Sequence, residues 1–386
     1  MKVVVLAPAY VPAHKAGGPV PGITGAVEQL AGHEVHVLTA DRDLGDTRPY
    51  PPPHVGTTEV AGTPVTYLPP PSWGSRRQWR EALRTMRSAD VVYVNSVMSK
   101  GFTVLPLLVL GLSRWHGRLL SSPRGELAAS ALALGTPWQK RVWIGLLRGT
   151  RWALRFGGSP TTWVVSSARE RADVERVFPG ARTAVVPERL RPLRGTTTAA
   201  RPLRTDRLRV VTVGRVAPVK GIDDLVRGLA HVTTPVHLDV IGLLEDEEHV
   251  ALVQDLVGRL PAHVDVRLAG AVGPEEVEQV LRTSHLFALL TRGENFGHAI
   301  GEALRAGCPV LISDQTPWSA VADAGAGVVL DRAACESAPE VGAAVQRFAD
   351  MDDDEWAEWS RRAATHATGS VDAPTLDQVL GAVGRD

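Results

Sequence analysis

Cysteine is scarce, with only Cys308 and Cys335 in 386 residues. Two thiols build neither a disulfide framework nor a zinc-ligand spacing, so a reducing compartment and purely structural thiols are expected. His14, His33, His36 and His298 show no metal spacing, and no metal is expected. Long hydrophobic runs are also missing. VLPLLVLGL at 104–112 is about half the length a bilayer-spanning helix needs, and it contains a proline, so no transmembrane helix is predicted. The opening MKVVVLAPAY stops its apolar run at Pro8 without a cleavage pattern and reads as a first strand rather than a secretory leader. A cytoplasmic location follows as the expectation, with no nucleic-acid partner.

Net charge is missing too, 42 basic residues being matched by 42 acidic ones, but the balance hides a division. Residues 1–204 carry 27 Lys and Arg against 13 Asp and Glu, a net +14, and the remainder carries 15 against 29. The basic half therefore faces either an anionic substrate or surface, including an anionic membrane, or simply water through arginine-rich faces. What is present is ordinary for a globular chain: 44% hydrophobic residues, with 37 Gly and 28 Pro favouring many short connections. The length exceeds what a single core supports, and two domains are expected.

Short apolar, β-branched runs recur at KVVVLAP (2–8), HEVHVLT (33–39), PVTYLP (64–69), DVVYVNS (90–96), RLLSSPR (118–124) and TTWVVSS (161–167). Segments of helical spacing separate several of them, including Trp79, Leu83 and Met86 set against five arginines, and the stretch from Trp138 to Phe156. Strand–helix alternation predicts a parallel sheet covered on both faces. RPLRGTTTAARPLRTDR at 191–207 breaks the pattern and is taken as a linker. Alternation restarts with LRVVTVGR (208–215), VHLDVIG (236–242), VDVRLAG (264–270), LFALLT (286–291), PVLISD (309–314) and AGVVLD (326–331). The predicted fold class is α/β, with two doubly wound Rossmann-like domains facing across a cleft: residues 1–190 and 208–369, with a helix at about 370–386 packing back on the first.

Open sheets of this kind bind ligands at the carboxyl ends of their strands, so chemistry is sought just after strands. Gly214 ends one strand, and Arg215 and Lys220 follow on a loop closed by Gly221. Two cations converging where glycines allow close backbone approach suit a diphosphate, and they would stabilise charge on a leaving group; a solvated turn with two ordinary cations is the plainer alternative. GENFGHAIGE at 293–302 follows another strand in the same way. A helix starting near Gly297 would bury Ile300, Ala303 and Leu304 and end at Gly307. Its N-terminus would offer the amides of Asn295, Phe296, Gly297 and His298 to hydroxyl or phosphate oxygens. Glu294 on the turn and Glu302 along the helix could then meet two hydroxyl-bearing portions of one ligand; otherwise Glu294 caps the helix and Glu302 is a surface residue.

The combination of a strand, GR-x4-KG and, some eighty residues later, E-x-F-G-x4-E resembles the family 4 glycosyltransferases, retaining enzymes of the two-Rossmann-domain GT-B fold. The resemblance covers nearly the whole chain and implies transfer of a sugar from a nucleoside diphosphate sugar to a hydroxyl-bearing acceptor: a glycan, a lipid-linked saccharide or a small molecule. It implies front-face departure of the nucleoside diphosphate, with no metal and no cofactor beyond the donor. Arg215 and Lys220 would hold the diphosphate, Glu294 the transferring sugar and Glu302 the ribose. Gly17 and Gly18 match the family's glycine loop facing the donor. Arg124, in SPRGEL, stands where many members carry a histidine near the reacting sugar; an arginine there can contact sugar or phosphate but cannot act as a base. VVPERL at 185–190 replaces a proline-asparagine-glycine turn with Glu188 and Arg189. Asn95, Ser96 and Lys100, after DVVYVNS, are acceptor-side candidates or ordinary loop residues. The helix with Lys140, Arg141, Arg148, Arg151 and Arg155 beside Trp138, Trp143 and Trp152 fits peripheral contact with an anionic membrane, or a buried helix with an arginine face. A sugar-nucleotide epimerase, a synthase joining non-sugar rings, and a catalytically silent nucleotide-sugar sensor are the alternatives.

Overall fold

A computed structural model describes residues 1–13, 15, 18–72, 74–113, 115–133, 137–155, 161–190, 207–368 and 374–383. Gly17, His14 and all but the final residue of the 191–207 linker lie outside the described residues. The chain divides into two compact units, Met1–Arg189 with Ala373–Asp386, and Leu190–Asp372.

The first unit is built on β1 (Lys2–Ala7), β2 (Glu34–Ala40), β3 (Thr57–Val60), β4 (Thr63–Leu68), β5 (Val91–Asn95), β6 (Arg118–Ser122), β7 (Thr162–Val165) and β8 (Arg182–Val185). They lie in the order β3-β4-β2-β1-β5-β6-β7-β8, all parallel except the edge pair β3 and β4. Central β1 is apolar from Val3 to Ala7 because both its faces are covered there; Val5 sits beside Val37 on one side and Tyr93 on the other. One face buries Leu6, Leu38 and Val92 with Trp79 and Met86 of helix Arg76–Arg87 and Leu107 and Leu110 of helix Leu105–Leu112. The opposite face buries Val5, Val37 and Tyr93 under Ile23 and Val27 of helix Pro19–Gln29. Leu376, Val379 and Leu380 of helix Leu376–Val383 join that second layer. The amide of Leu376 donates to Gln29 Oε1 at 2.8 Å, fixing where the returning helix docks.

The second unit holds β9 (Leu208–Val213), β10 (Val236–Ile241), β11 (Val264–Gly270), β12 (Leu286–Leu289), β13 (Val310–Ser313) and β14 (Gly327–Leu330). All are parallel, in the order β11-β10-β9-β12-β13-β14. Val210 and Val240 pack beneath helices Ile222–Leu229 and Ala338–Asp350, and Val211 and Phe287 beneath helix His298–Arg305. Cys308 and Cys335 are buried thiols, and desolvation pushes the Cys335 thiol up to about 11, away from reactivity.

Two strands lack a signal in the sequence. β3 is half exposed and carries no apolar alternation, and β8, RTAV, is a short edge of one arginine and three small or half-buried residues. No helix among the described residues is long and apolar enough to cross a membrane.

Candidate functional site

In the second unit the chain starts at β9, steps outward through β10 and β11, then returns to the other side of β9 as β12. The connections after β9 and β12 therefore leave in opposite directions and open a crevice at the carboxyl ends of these neighbours. Both charged motifs lie there.

After β9, the Gly214 amide is held by Ile241 O at 2.9 Å, and the aliphatic part of Lys220 lies over the glycine. Gly242, at the end of β10, completes the wall: a Cβ there would fall 1.9 Å from Gly214 O. Residues 218–220 form one 3-10 turn, and Gly221 turns the chain with φ 64° into helix Ile222–Leu229. A Cβ at Gly221 would lie 2.1 Å from Leu290 O, so only glycine brings the two loops this close. The contact is sealed by Arg292 N and Thr291 Oγ1, which both donate to Val219 O, at 2.7 and 2.9 Å.

This closure brings Lys220 Nζ to 2.7 Å from Glu294 Oε2, with both side chains more than four-fifths buried. Arg215 instead reaches Glu245 Oε2 at 3.2 Å in an exposed pair. Such a pair contributes at most about 1 kcal/mol, leaving Arg215 easily redirected to a ligand.

Beneath the two loops lies a charged network. Asp223 and Asp224, on the first turn after Gly221, are buried. Asp223 accepts from Arg227 at 2.9 Å and Arg292 at 3.2 Å; Asp224 accepts from Arg227, Arg292 and Arg332 at 3.1, 3.1 and 2.9 Å. Burial pushes the Asp223 carboxyl upward, but the Arg227 hydrogen bond and the charges of Arg292, Arg227 and His249 outweigh it and hold the group below its ordinary value. Arg292 directly precedes Gly293 and Glu294, so this network ties the glutamate-bearing loop to the helix that follows Lys220. The burial of both aspartates makes them counter-ions to these arginines.

Glu294 N donates to Gln315 O at 3.0 Å, which anchors the turn to the end of β13. Gly297 then adopts φ 80° and starts helix His298–Arg305 without a side-chain cap. Trp318 Nε1 donates to Phe296 O, and the Phe296 ring lies 4.8 Å from that of His298 and 5.9 Å from that of Trp318. Ile300, Ala303 and Leu304 face the core, Gly307 ends the helix with φ 69°, and Glu302 is half-buried along it. The helix N-terminus thus opens beside Glu294, with its macrodipole favouring electronegative groups. Among the described residues no group of three or more His, Cys, Asp or Glu side chains is placed to hold a metal ion.

In the first unit, Gly18 is exposed at the N-terminus of helix Pro19–Gln29. Arg124 adopts φ 50°, and its guanidinium is turned inward. It pairs with Glu188 Oε1 at 2.7 Å and donates to Asn95 Oδ1 at 2.8 Å. Burial alone would lower its pKa, but Glu188 above all keeps it firmly protonated. A Cβ on Gly22 would lie 2.1 Å from Glu188 Oε2, so the pair also needs that glycine. Asn95 and Ser96 are buried: Asn95 serves Arg124, while Ser96 Oγ donates to Glu126 at 2.8 Å. Lys100, alone of the three acceptor candidates, is exposed, at the start of a π-helical turn. The pairing of Arg124 with Glu188 escaped the sequence, where each looked like a separate departure from a pattern.

The same unit bears an apolar surface. Trp138, Val142 and Leu146 are exposed on helix Pro137–Arg155, and Leu108 and Leu112 on the neighbouring helix Leu105–Leu112. Four-residue spacing aligns the first three on one face, with Arg141 and Arg148 on the adjoining strip.

Comparison with known proteins bears on the family and the fold. Residues 195–362 match the family model described as "Glycosyl transferases group 1". Mannosylfructose-phosphate synthase of Agrobacterium fabrum is 30% identical over 112 residues, 27% of this chain and 25% of that protein, so the matched stretch spans a quarter of its length. Among solved structures, WaaG, a glycosyltransferase involved in lipopolysaccharide biosynthesis, matches over 100% of both chains with a TM-score of 0.70 at 17% identity. Anabaena HepE in complex with UDP and glucose matches over 100% of both chains, with 0.68 at 17%. Sucrose-phosphate synthase from Thermosynechococcus elongatus matches 95% of this chain and 94% of its own, with 0.66 at 18%. At these identities the likeness is one of fold, and that fold is GT-B, with two parallel-sheet Rossmann-like domains.

Proposed function

We propose that this chain, whose second unit carries a glycosyl transferases group 1 domain, is a retaining glycosyltransferase using a nucleoside diphosphate sugar. The observation that carries this reading is the meeting of Lys220 and Glu294 at 2.7 Å, at the crevice between β9 and β12. An ammonium group for phosphoryl oxygens and a carboxylate for sugar hydroxyls lie beside a helix N-terminus, an arrangement suited to a donor with all three demands. The UDP and glucose held by HepE support the same class of donor.

In this reading Lys220 and Arg215 bind the diphosphate beside Gly214, and Glu294 holds the transferring sugar. The backbone of Asn295, Phe296, Gly297 and His298 binds donor oxygens, and Glu302 the ribose. The bond between the anomeric carbon and the diphosphate oxygen breaks with its electrons staying on the diphosphate. The acceptor hydroxyl then attacks from the same face, and its proton passes to the departing phosphate oxygen. Lys220, Arg215 and the helix N-terminus stabilise the leaving charge, so neither a metal nor a cofactor is required. The first unit takes the acceptor, with exposed Lys100 on the binding side. Asn95 and Arg124 act as positioning residues rather than sugar contacts.

The apolar stripe of Trp138, Val142 and Leu146, bordered by Arg141 and Arg148, supports peripheral membrane contact by a cytoplasmic enzyme, since apolar side chains beside cations suit an anionic interface. A thermal-shift panel of UDP, GDP, ADP and dTDP tests the donor reading, because a ligand of the native state raises its stability. One nucleotide should raise the melting temperature in wild type and fail to do so in Lys220→Ala, which should also lose most of the turnover of the matching sugar donor. Equal shifts in both proteins would remove Lys220 from the site. Binding of a matched donor with no release of nucleoside diphosphate would favour a silent sensor.

A further inference from the structure

We infer that Glu294 occupies Lys220 as an internal substitute for a phosphoryl oxygen, and that an arriving diphosphate frees the carboxylate for the sugar. The inference rests on the donor-site reading above and adds a coupling between its two halves. Glu294 Oε2 lies at hydrogen-bond distance from Lys220 Nζ, with side chains 17% and 18% exposed. A carboxylate oxygen and a phosphoryl oxygen are equivalent partners for an ammonium group. They are not good neighbours of one another, since two anions at one partly buried cation repel.

Both partners are held from behind. The Lys220 turn is fixed by Gly221 against Leu290, and the Glu294 turn by Arg292 on Asp223 and Asp224 and by the Gln315 carbonyl. The pair is therefore separated by movement of the Glu294 side chain, not by opening of the loops. A free sugar has no anionic oxygen to replace the carboxylate on Lys220 and so does not release the glutamate. A sugar diphosphate does both, taking the lysine with its phosphate and the carboxylate with its hydroxyls. After transfer, the nucleoside diphosphate left behind holds Lys220 while Glu294 has lost its sugar partner, and the returning carboxylate helps expel the product. Glu294 thus sets specificity for a sugar bearing a diphosphate.

Calorimetry with inorganic pyrophosphate tests the coupling in wild type, Glu294→Gln, Lys220→Met and the double variant. Removing the resident carboxylate should tighten pyrophosphate binding about fivefold, and the gain should vanish when Lys220→Met is already present. Glu294→Asp, which keeps the charge but is one methylene shorter, should also bind pyrophosphate more tightly, separating lost contact from lost charge. Glu294→Gln binding no more tightly than wild type, or the same gain persisting without Lys220, would overturn the coupling while leaving the donor site in place. Undiminished pyrophosphate binding in Lys220→Met would instead remove the donor-site reading itself. Matching melting curves establish that each variant is folded.

Discussion

At the scale of single residues, the first unit shows how a charged pair is made necessary by its surroundings. Arg124 and Glu188 are more than nine-tenths buried and face each other at 2.7 Å, with Asn95 on the guanidinium. Arg124→Ala should cost about 3–5 kcal/mol, because it breaks a buried ion pair at 2.7 Å; denaturant unfolding of the variant measures it. Arg124→Ala should lose far more than Lys100→Ala, whose side chain is exposed. A pH signature belongs to Asp223, whose carboxyl is more acidic when folded than when unfolded. Its contribution is present above the ordinary carboxyl value of 3.8 and is lost as pH falls through the lower folded value. The stability gap between wild type and Asp223→Asn should therefore be widest near neutrality and shrink in acid, as read from unfolding curves across pH 2–7.

At the scale of elements, the glycine turn after Lys220 decides whether the donor loops meet. Gly221→Ala must accept φ 64° and a Cβ 2.1 Å from Leu290 O, so a loss of at least about 2 kcal/mol is expected, with weaker nucleotide binding from the displaced lysine. Unfolding and titration of the same variant check both. Much of this arrangement was legible in the sequence. The six strands of the second unit are short apolar or alternating runs closed by turn residues, and both donor motifs stand just after a strand. β3 and β8 were not legible, because edge strands bury too little to impose a pattern. The Asp223 and Asp224 network was hidden for a different reason: beyond the neighbouring Arg227, its partners Arg292 and Arg332 lie about 70 and 110 residues away, and local spacing carries no trace of such contacts. Gly242 had no charged neighbour to draw attention to it, although β10 presses it onto Gly214.

At the scale of the whole molecule, the uneven distribution of charge becomes a surface property. Residues 1–204 hold a net +14, and the exposed arginines of helix Arg76–Arg87 belong to an element that packs beside helix Leu105–Leu112, which carries exposed Leu108 and Leu112. Flotation with anionic vesicles at low salt should therefore carry the protein upward. Trp138→Ser combined with Leu146→Ser should leave most of it at the bottom, and high salt should weaken the wild-type interaction. Absence of flotation at low salt would remove the membrane contact. The helix Leu376–Val383, seated on helix Pro19–Gln29 through Leu376 and Gln29, has a consequence in time. On the ribosome, residues 1–189 emerge long before this piece of their own core, and the entire second unit is made in the interval. The apolar patch around Ile23 and Leu30 must wait uncovered, so the unit synthesised first is the one completed last, and its exposure to chaperones and proteases lasts as long as translation of its neighbour.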